Sequence, residues 1–152
     1  MKCFALMGAA VFTFWAAAAV AQGSSPTLQP NDIIAVRQSL MDLQGGVVAA
    51  MKAAVEGGDN VKPLTAGAKG LLSSSHVIPT LFPAGTEAGH NTKAKPAIWS
   101  DRAGFEKAAA DLTAEAQKLV QLADANDKAG FATQFQAVGK ACGACHRPYR
   151  AQ

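Results

Sequence analysis

Near the carboxyl end of a 152-residue chain stands Cys142-Gly143-Ala144-Cys145-His146, the stretch whose residue types and spacing point to a definite chemistry. Residues three and four apart share a face of an α-helix, so two thiols and an imidazole would leave neighbouring positions here. C-x-x-C-H is the attachment pattern of c-type haem. The two sulfurs can reach the two vinyl groups of one porphyrin edge, and His146 can turn its ring under the iron. Gly143 and Ala144 are small, as a macrocycle pressed near the backbone requires. Three other chemistries use the same residue types. A disulfide within one helical turn closes a tiny loop and stabilises the fold little. A thioredoxin-like redox pair calls for a βαβ setting, and no strand pattern accompanies the motif. Zinc needs about four ligands in spaced pairs, and the remaining histidines, His76 and His90, are unpaired. Haem attachment is the reading the residues favour.

The motif must sit on a helix, and the pattern around it supplies one. Phe131, Phe135, Val138, Cys142, Cys145 and Tyr149 step by 4, 3, 4, 3 and 4, predicting a helix from about Lys128 to Tyr149. Three more amphipathic segments precede it. The first runs from Asn31, an N-cap followed by Asp32, to Glu56, where Gly57-Gly58 stops it. Ile34, Met41, Val48 and Val55 recur every seventh residue, with Ile33, Leu40 and Val47 beside them, giving one broad apolar face. The second spans about Val61 to Ile78, with Pro79 and Pro83 ending it. The third starts near Ser100, with Phe105, Leu112 and Leu119 as its repeat and Asn126 or Asp127 as its close. Between the second and third lies a connection, 83–98, too long for a compact domain unless it has a task; packing over a cofactor edge is one. Mostly short links and no strand alternation predict an all-α antiparallel four-helix bundle. Ala50, Ala54, Ala68, Ala108, Ala109 and Ala116 are expected on inner faces, leaving either tight packing or room for a flat cofactor.

The amino end reads differently. Lys2, the apolar run Phe4 to Val20 and Ala19-Val20-Ala21 form the three regions of a secretory signal peptide. Residues 1–21 are expected to be cleaved and 22–152 to form the bundle domain, in the periplasm. The uncleaved alternative is a membrane anchor. Cys3 would leave with the leader, so the mature chain would hold just Cys142 and Cys145. Without Lys2, 13 basic residues face 11 acidic ones. Beside that near balance, nothing in the sequence resembles the clustered Lys/Arg footprint that nucleic-acid binding needs.

Beyond the motif the chain resembles the class II cytochromes c, the group of cytochromes c′ and c-556. The likeness spans essentially all of 22–152. It rests on Arg37-Gln38-Ser39-Leu40-Met41, on Phe82-Pro83-Ala84-Gly85-Thr86-Glu87 followed by Pro96-Ala97-Ile98-Trp99, and on Cys142 to Arg150. The resemblance implies one covalently attached haem c inside the bundle near the last helix. It makes Cys142 and Cys145 the thioether cysteines and His146 the proximal iron ligand. It sets Arg37 and Gln38 near the haem propionates and Thr92 at the haem edge, the alternative for Arg37 being a solvated surface arginine. Met41 falls at the family's distal position. In the c-556 type a methionine from the first helix binds iron; in the c′ type the distal residue packs over an open iron that accepts nitric oxide or carbon monoxide. The loop from Leu81 to Trp99 favours the c-556 type, and Met51, nearly three turns along, is not the substitute. The expected function is therefore periplasmic electron carriage between redox partner proteins with His/Met-ligated, low-spin iron. The alternative is a five-coordinate gas-binding cytochrome c′. A haem enzyme is not expected, because neither His76 nor His90 is placed as a distal acid–base group. Trp99 and Tyr149 are expected as anchors, and His90 and Arg150 as solvated residues. Monomer and homodimer both remain open.

Overall fold

A computed structural model describes residues 27–58 and 60–152. The expected leader, the cleavage after Ala21 and residues 22–26 lie outside the described residues. The helices are α1 (Pro30–Gly57), α2 (Thr65–Val77), the one-turn α3 (Ala97–Ser100), α4 (Arg102–Asp124) and α5 (Lys128–Tyr149). The four long ones form the predicted all-α four-helix bundle, and among the described residues the sole β feature is an isolated bridge, Ala94 with Arg150. None of the described helices is long and apolar enough to cross a membrane.

Local chemistry moved several boundaries. Asn31 lies inside α1 rather than capping it, because Pro30 pre-sets the first helical φ and Gln29 takes the cap. The Gln29 backbone N–H donates to Asp32 Oδ2 at 3.1 Å. At the other end Gly58 adopts φ 68°, the left-handed conformation that terminates helices. The segment predicted as one helix over Val61 to Ile78 is flanked by 3₁₀ turns at Lys62–Leu64 and Ile78–Leu81. Pro63 and Pro79 sit near the starts of these turns, where the missing N–H costs nothing. Asp101, not Ser100, caps α4, accepting from the Gly104 N–H at 3.2 Å. Asn126, at φ 54°, breaks the chain between α4 and α5.

Helix α4 is the axis of the core. Phe105, Ala109, Leu112, Ala116, Leu119, Val120 and Ala123 are all buried along it, and it packs along its length against α2 and α5. Each large apolar side chain so buried contributes about 1.5–3 kcal/mol. Helix α1 is held far more loosely. Its packing against α2 and α5 is sparse, and only Ile34, Arg37 and Met51 are buried. The broad apolar face expected on α1 is thus partly used: Met41, Val47 and Val55 are half-buried against the core, while Val36 and Leu43 point outward, Leu43 at 69% exposure. Of the expected small inner positions, Ala68, Ala109 and Ala116 are buried and Ala54 and Ala108 half-buried; Ala50 is exposed, a correction that follows from its place on the outer side of α1.

Candidate haem-binding site

Helix α5 starts where the sequence requires. The Asp127 carboxylate accepts from the Gly130 N–H at 2.9 Å, and a Cβ on residue 130 would collide with Asp127 Oδ2 and with Leu122 Cδ2. From there Phe131, Val138 and Tyr149 are buried. Cys142 and Cys145 lie on the same side, half-buried against the core and free as thiols. Burial pushes both thiols above the ordinary value. His146 occupies the adjoining strip of the helix and is exposed there; lost hydration, then the nearby Arg150 charge, lowers its pKa and so favours the neutral imidazole. That is the form in which histidine ligates a metal.

Room exists on this side of α5. A Cβ on Gly139 would meet nothing within 4 Å, and on Gly143 only the Arg147 Nη1 at 3.4 Å. The neighbouring α1 contacts α5 sparsely. Two inward thiols one helical turn apart, a neutral imidazole and an open strip of glycines suit a flat covalently attached macrocycle. Among the described residues no group of three or more His, Cys, Asp or Glu could hold a bare metal ion, as the zinc alternative would need.

The second cluster forms around Arg37. Its guanidinium is buried, at 2% exposure, by the long loop that follows α2. Nη1 donates to Thr86 Oγ1 at 2.9 Å and to the Leu81 carbonyl at 3.4 Å. Nη2 donates to the Thr86 carbonyl and to Thr92 Oγ1, both at 2.8 Å. The cation lies 4.5 Å from the centre of the Phe82 ring, a cation–π contact. Burial lowers the Arg37 pKa, while the Glu87 carboxylate acts in the opposite sense. Arg37 is therefore not a solvated surface residue. Gln38, half-buried on the same turn, donates to the His90 carbonyl at 3.0 Å. One turn beyond Arg37, Met41 is half-buried on the inward side of α1. Met51 is fully buried and its Cε would lie 3.3 Å from a Cβ on Gly67, so its task is packing.

The loop joins the two clusters. The Ala151 N–H donates to the Lys93 carbonyl at 2.8 Å and the Lys95 N–H to the Tyr149 carbonyl at 3.0 Å, tying the loop to the chain just beyond His146. Tyr149, Phe105, Phe82 and Trp99 follow one another in edge-to-face contacts of 5.3, 5.0 and 6.1 Å. Trp99 anchors the loop as expected, its Nε1 donating to the Pro83 carbonyl at 3.1 Å. Tyr149 is buried, and its hydroxyl donates to Asp101 Oδ2 at 2.7 Å. That hydrogen bond, followed by burial and the Asp101 charge, pushes the phenol up to about 12. His90 and Arg150 are exposed, as anticipated, and His76 is exposed beside Glu106 and Gln117 on the groove between α2 and α4.

Sequence reasoning assigned no role of its own to Thr86 and did not find the distant partner of Asp101. Thr86 is 1% exposed and donates to the Pro83 carbonyl at 2.8 Å while accepting from Arg37. A threonine three residues after a proline is a turn signal that could have drawn attention to it. Asp101 was legible as helix-start chemistry; its second partner, Tyr149, is 48 residues away and was not.

A four-helix bundle whose last helix carries C-x-x-C-H with both thiols inward defines a haem c protein of the bundle class. The cytochrome c′ family matches residues 32–150. A cytochrome c′ of Rubrivivax gelatinosus is 36% identical over 128 residues, spanning 80% of the chain and 96% of that protein. A cytochrome c-556 of Agrobacterium tumefaciens (strain II Chrys) is 34% identical over 116 residues, spanning 75% and 93%. The solved nitric oxide complex of a cytochrome c prime variant from Alcaligenes xylosoxidans superimposes with a TM-score of 0.74 at 32% identity, covering 82% of the chain and 98% of that one. The chain belongs to the class II cytochrome c family. The cofactor is one covalently attached haem c, and the work of the family is electron carriage or gas binding.

Proposed function

We propose that the protein is an electron carrier of the c-556 kind, exported to the periplasm by cleavage after Ala21 and cycling one electron between protein partners. When bound, the haem supplies the Fe(III)/Fe(II) couple. In this reading Cys142 and Cys145 form the two thioethers. His146 and Met41 would be the side chains that hold the iron, a pair whose chemistry would raise the potential and favour the low-spin state. Arg37, held by Thr86 and Thr92, sets a buried positive charge where the haem carboxylates would come, with Gln38 beside it. The loop seals this edge against water.

The observation that carries the assignment is the state of Met41. Of the two described methionines on α1, Met51 is locked into the core, whereas Met41 lies inward and half-buried on the loosely packed side, one turn from Arg37. A five-coordinate, gas-binding reading has its own support in the nitric oxide complex of the Alcaligenes protein. Spectroscopy separates them. The ferric holoprotein should be low-spin, with a methionine-to-iron charge-transfer band, and the ferrous form should resist carbon monoxide. Met41→Leu should abolish the band and admit carbon monoxide. A high-spin wild-type spectrum with ready gas binding would demote Met41 to packing and make gas binding the function.

A further inference from the structure

Four aromatic rings run in single file from the attachment motif to the loop surface. Tyr149 stands three residues after His146 on α5, in the apolar cluster against which Cys142 and Cys145 pack. Buried Phe105 and Phe82 follow it in edge-to-face contact, and half-buried Trp99 ends the file on the loop. Packing accounts for the two phenylalanines. The two oxidisable rings stand at the ends of the file, and opposite charges stand beside them. The Arg37 guanidinium lies 6.0 Å from the centre of the Trp99 ring and 4.5 Å from that of Phe82. At the other end the Tyr149 hydroxyl donates to Asp101 Oδ2 at 2.7 Å. A positive hole is repelled by the cation near Trp99 and drawn to the anion at Tyr149. A phenol sheds its proton when it loses an electron, and a carboxylate within hydrogen-bond reach is placed to take that proton.

We propose that Tyr149 and Asp101 form a proton-coupled redox station, in a relay that joins the loop surface at Trp99 to the side of α5 carrying Cys142 and Cys145. An outer-sphere one-electron oxidant, a small neutral inorganic radical, takes an electron from Trp99 and leaves as its anion. The Trp99 radical cation is refilled from Tyr149, whose phenolic proton passes to Asp101. A neutral tyrosyl radical and a carboxylic acid remain. Tyr149 then regains an electron from ferrous haem c and its proton from Asp101, and the iron is left ferric. The proton moves only along one hydrogen bond, so no uncompensated charge is left on the buried ring. Nothing in this relay requires Met41 to hold the iron.

The test tethers a ruthenium polypyridyl to a cysteine at exposed Ser100 (Ser100→Cys), next to Trp99, and photogenerates its ruthenium(III) form in the holoprotein. In the ferric protein, freeze-quench electron paramagnetic resonance should show a tyrosyl radical, which belongs to Tyr149 as the sole tyrosine. Tyr149→Phe should remove that signal and leave a tryptophan radical. Asp101→Asn, which still caps α4 but offers the phenol no proton acceptor, should cut the tyrosyl yield about tenfold. In the ferrous protein, flash-induced oxidation of the haem should slow by a similar factor in Tyr149→Phe and in Trp99→Phe. The wild-type spectrum decides even where a variant fails to fold. A hole that rests on Trp99 in the wild type, or a tyrosyl yield undiminished in Asp101→Asn, overturns the redox station. Haem oxidation at the wild-type rate in both Tyr149→Phe and Trp99→Phe overturns the relay.

Discussion

Tyr149 is the only tyrosine in the sequence, so its titration can be followed alone. The phenol donates to Asp101 and is held at about 12 rather than 10.0. Between those values the unfolded chain has released a proton that the folded chain keeps, so stability falls as pH rises through this window; below it the contribution is fully present. Ultraviolet difference spectra should place the midpoint near 12, and Asp101→Asn should bring it back toward 10, because the asparagine can still cap α4 but carries no charge. A midpoint unmoved by that substitution would show that burial alone sets it. Arg37 offers a second residue-scale check. Removing a guanidinium that satisfies Thr86, Thr92 and the Leu81 carbonyl orphans buried polar groups, so Arg37→Ala should cost roughly 2–4 kcal/mol in urea denaturation. Amide exchange across 86–95 should accelerate in the same variant.

The elements are ended and aimed by a few polar groups. Asp127 accepts from Gly130 at the start of the helix that carries the whole attachment motif. Asp127→Ala should lower stability by about 1 kcal/mol, readable as a shift in the denaturation midpoint, without altering the haem spectrum, since the cap lies several turns from Cys142. The loop that follows α2 is an element in its own right. Its two backbone bonds to Tyr149 and Ala151 clamp the end of α5, its two threonines clamp Arg37 of α1, and Trp99 closes it on Pro83. A sequence reader sees an over-long connection; the fold makes it the brace between the helix bearing Met41 and the helix bearing His146.

At the scale of the molecule the packing is uneven. Helices α2 and α5 each pack densely along α4, and α1 leans lightly on α2 and α5. A haem held by Cys142 and Cys145 that filled the lightly packed side toward α1 would supply much of what holds α1 in place. Hydrogen exchange should show this. In the haem-free Cys142→Ala, Cys145→Ala chain, protection along Pro30–Gly57 should drop well below that of Arg102–Asp124, whereas the holoprotein should protect both. Equal protection in the haem-free chain would mean that protein contacts alone secure α1.

Helix content, the bundle class and the attachment motif were legible in the linear sequence, because each is a local pattern. Spacings of three and four place Phe131 to Tyr149 on one face whatever lies opposite, and C-x-x-C-H needs only one turn of that helix. Boundaries shifted by a residue or two where Gln29 and Asp101 took the caps expected of Asn31 and Ser100. What the tertiary structure alone decided involves partners distant along the chain. The burial of Arg37 by Thr86 and Thr92, the pairing of Tyr149 with Asp101, and the approach of Lys95 to the Arg147 carbonyl all depend on where a loop crosses a helix. No periodicity records that crossing, since its free energy comes from hydrogen bonds and charges between segments some 50 residues apart.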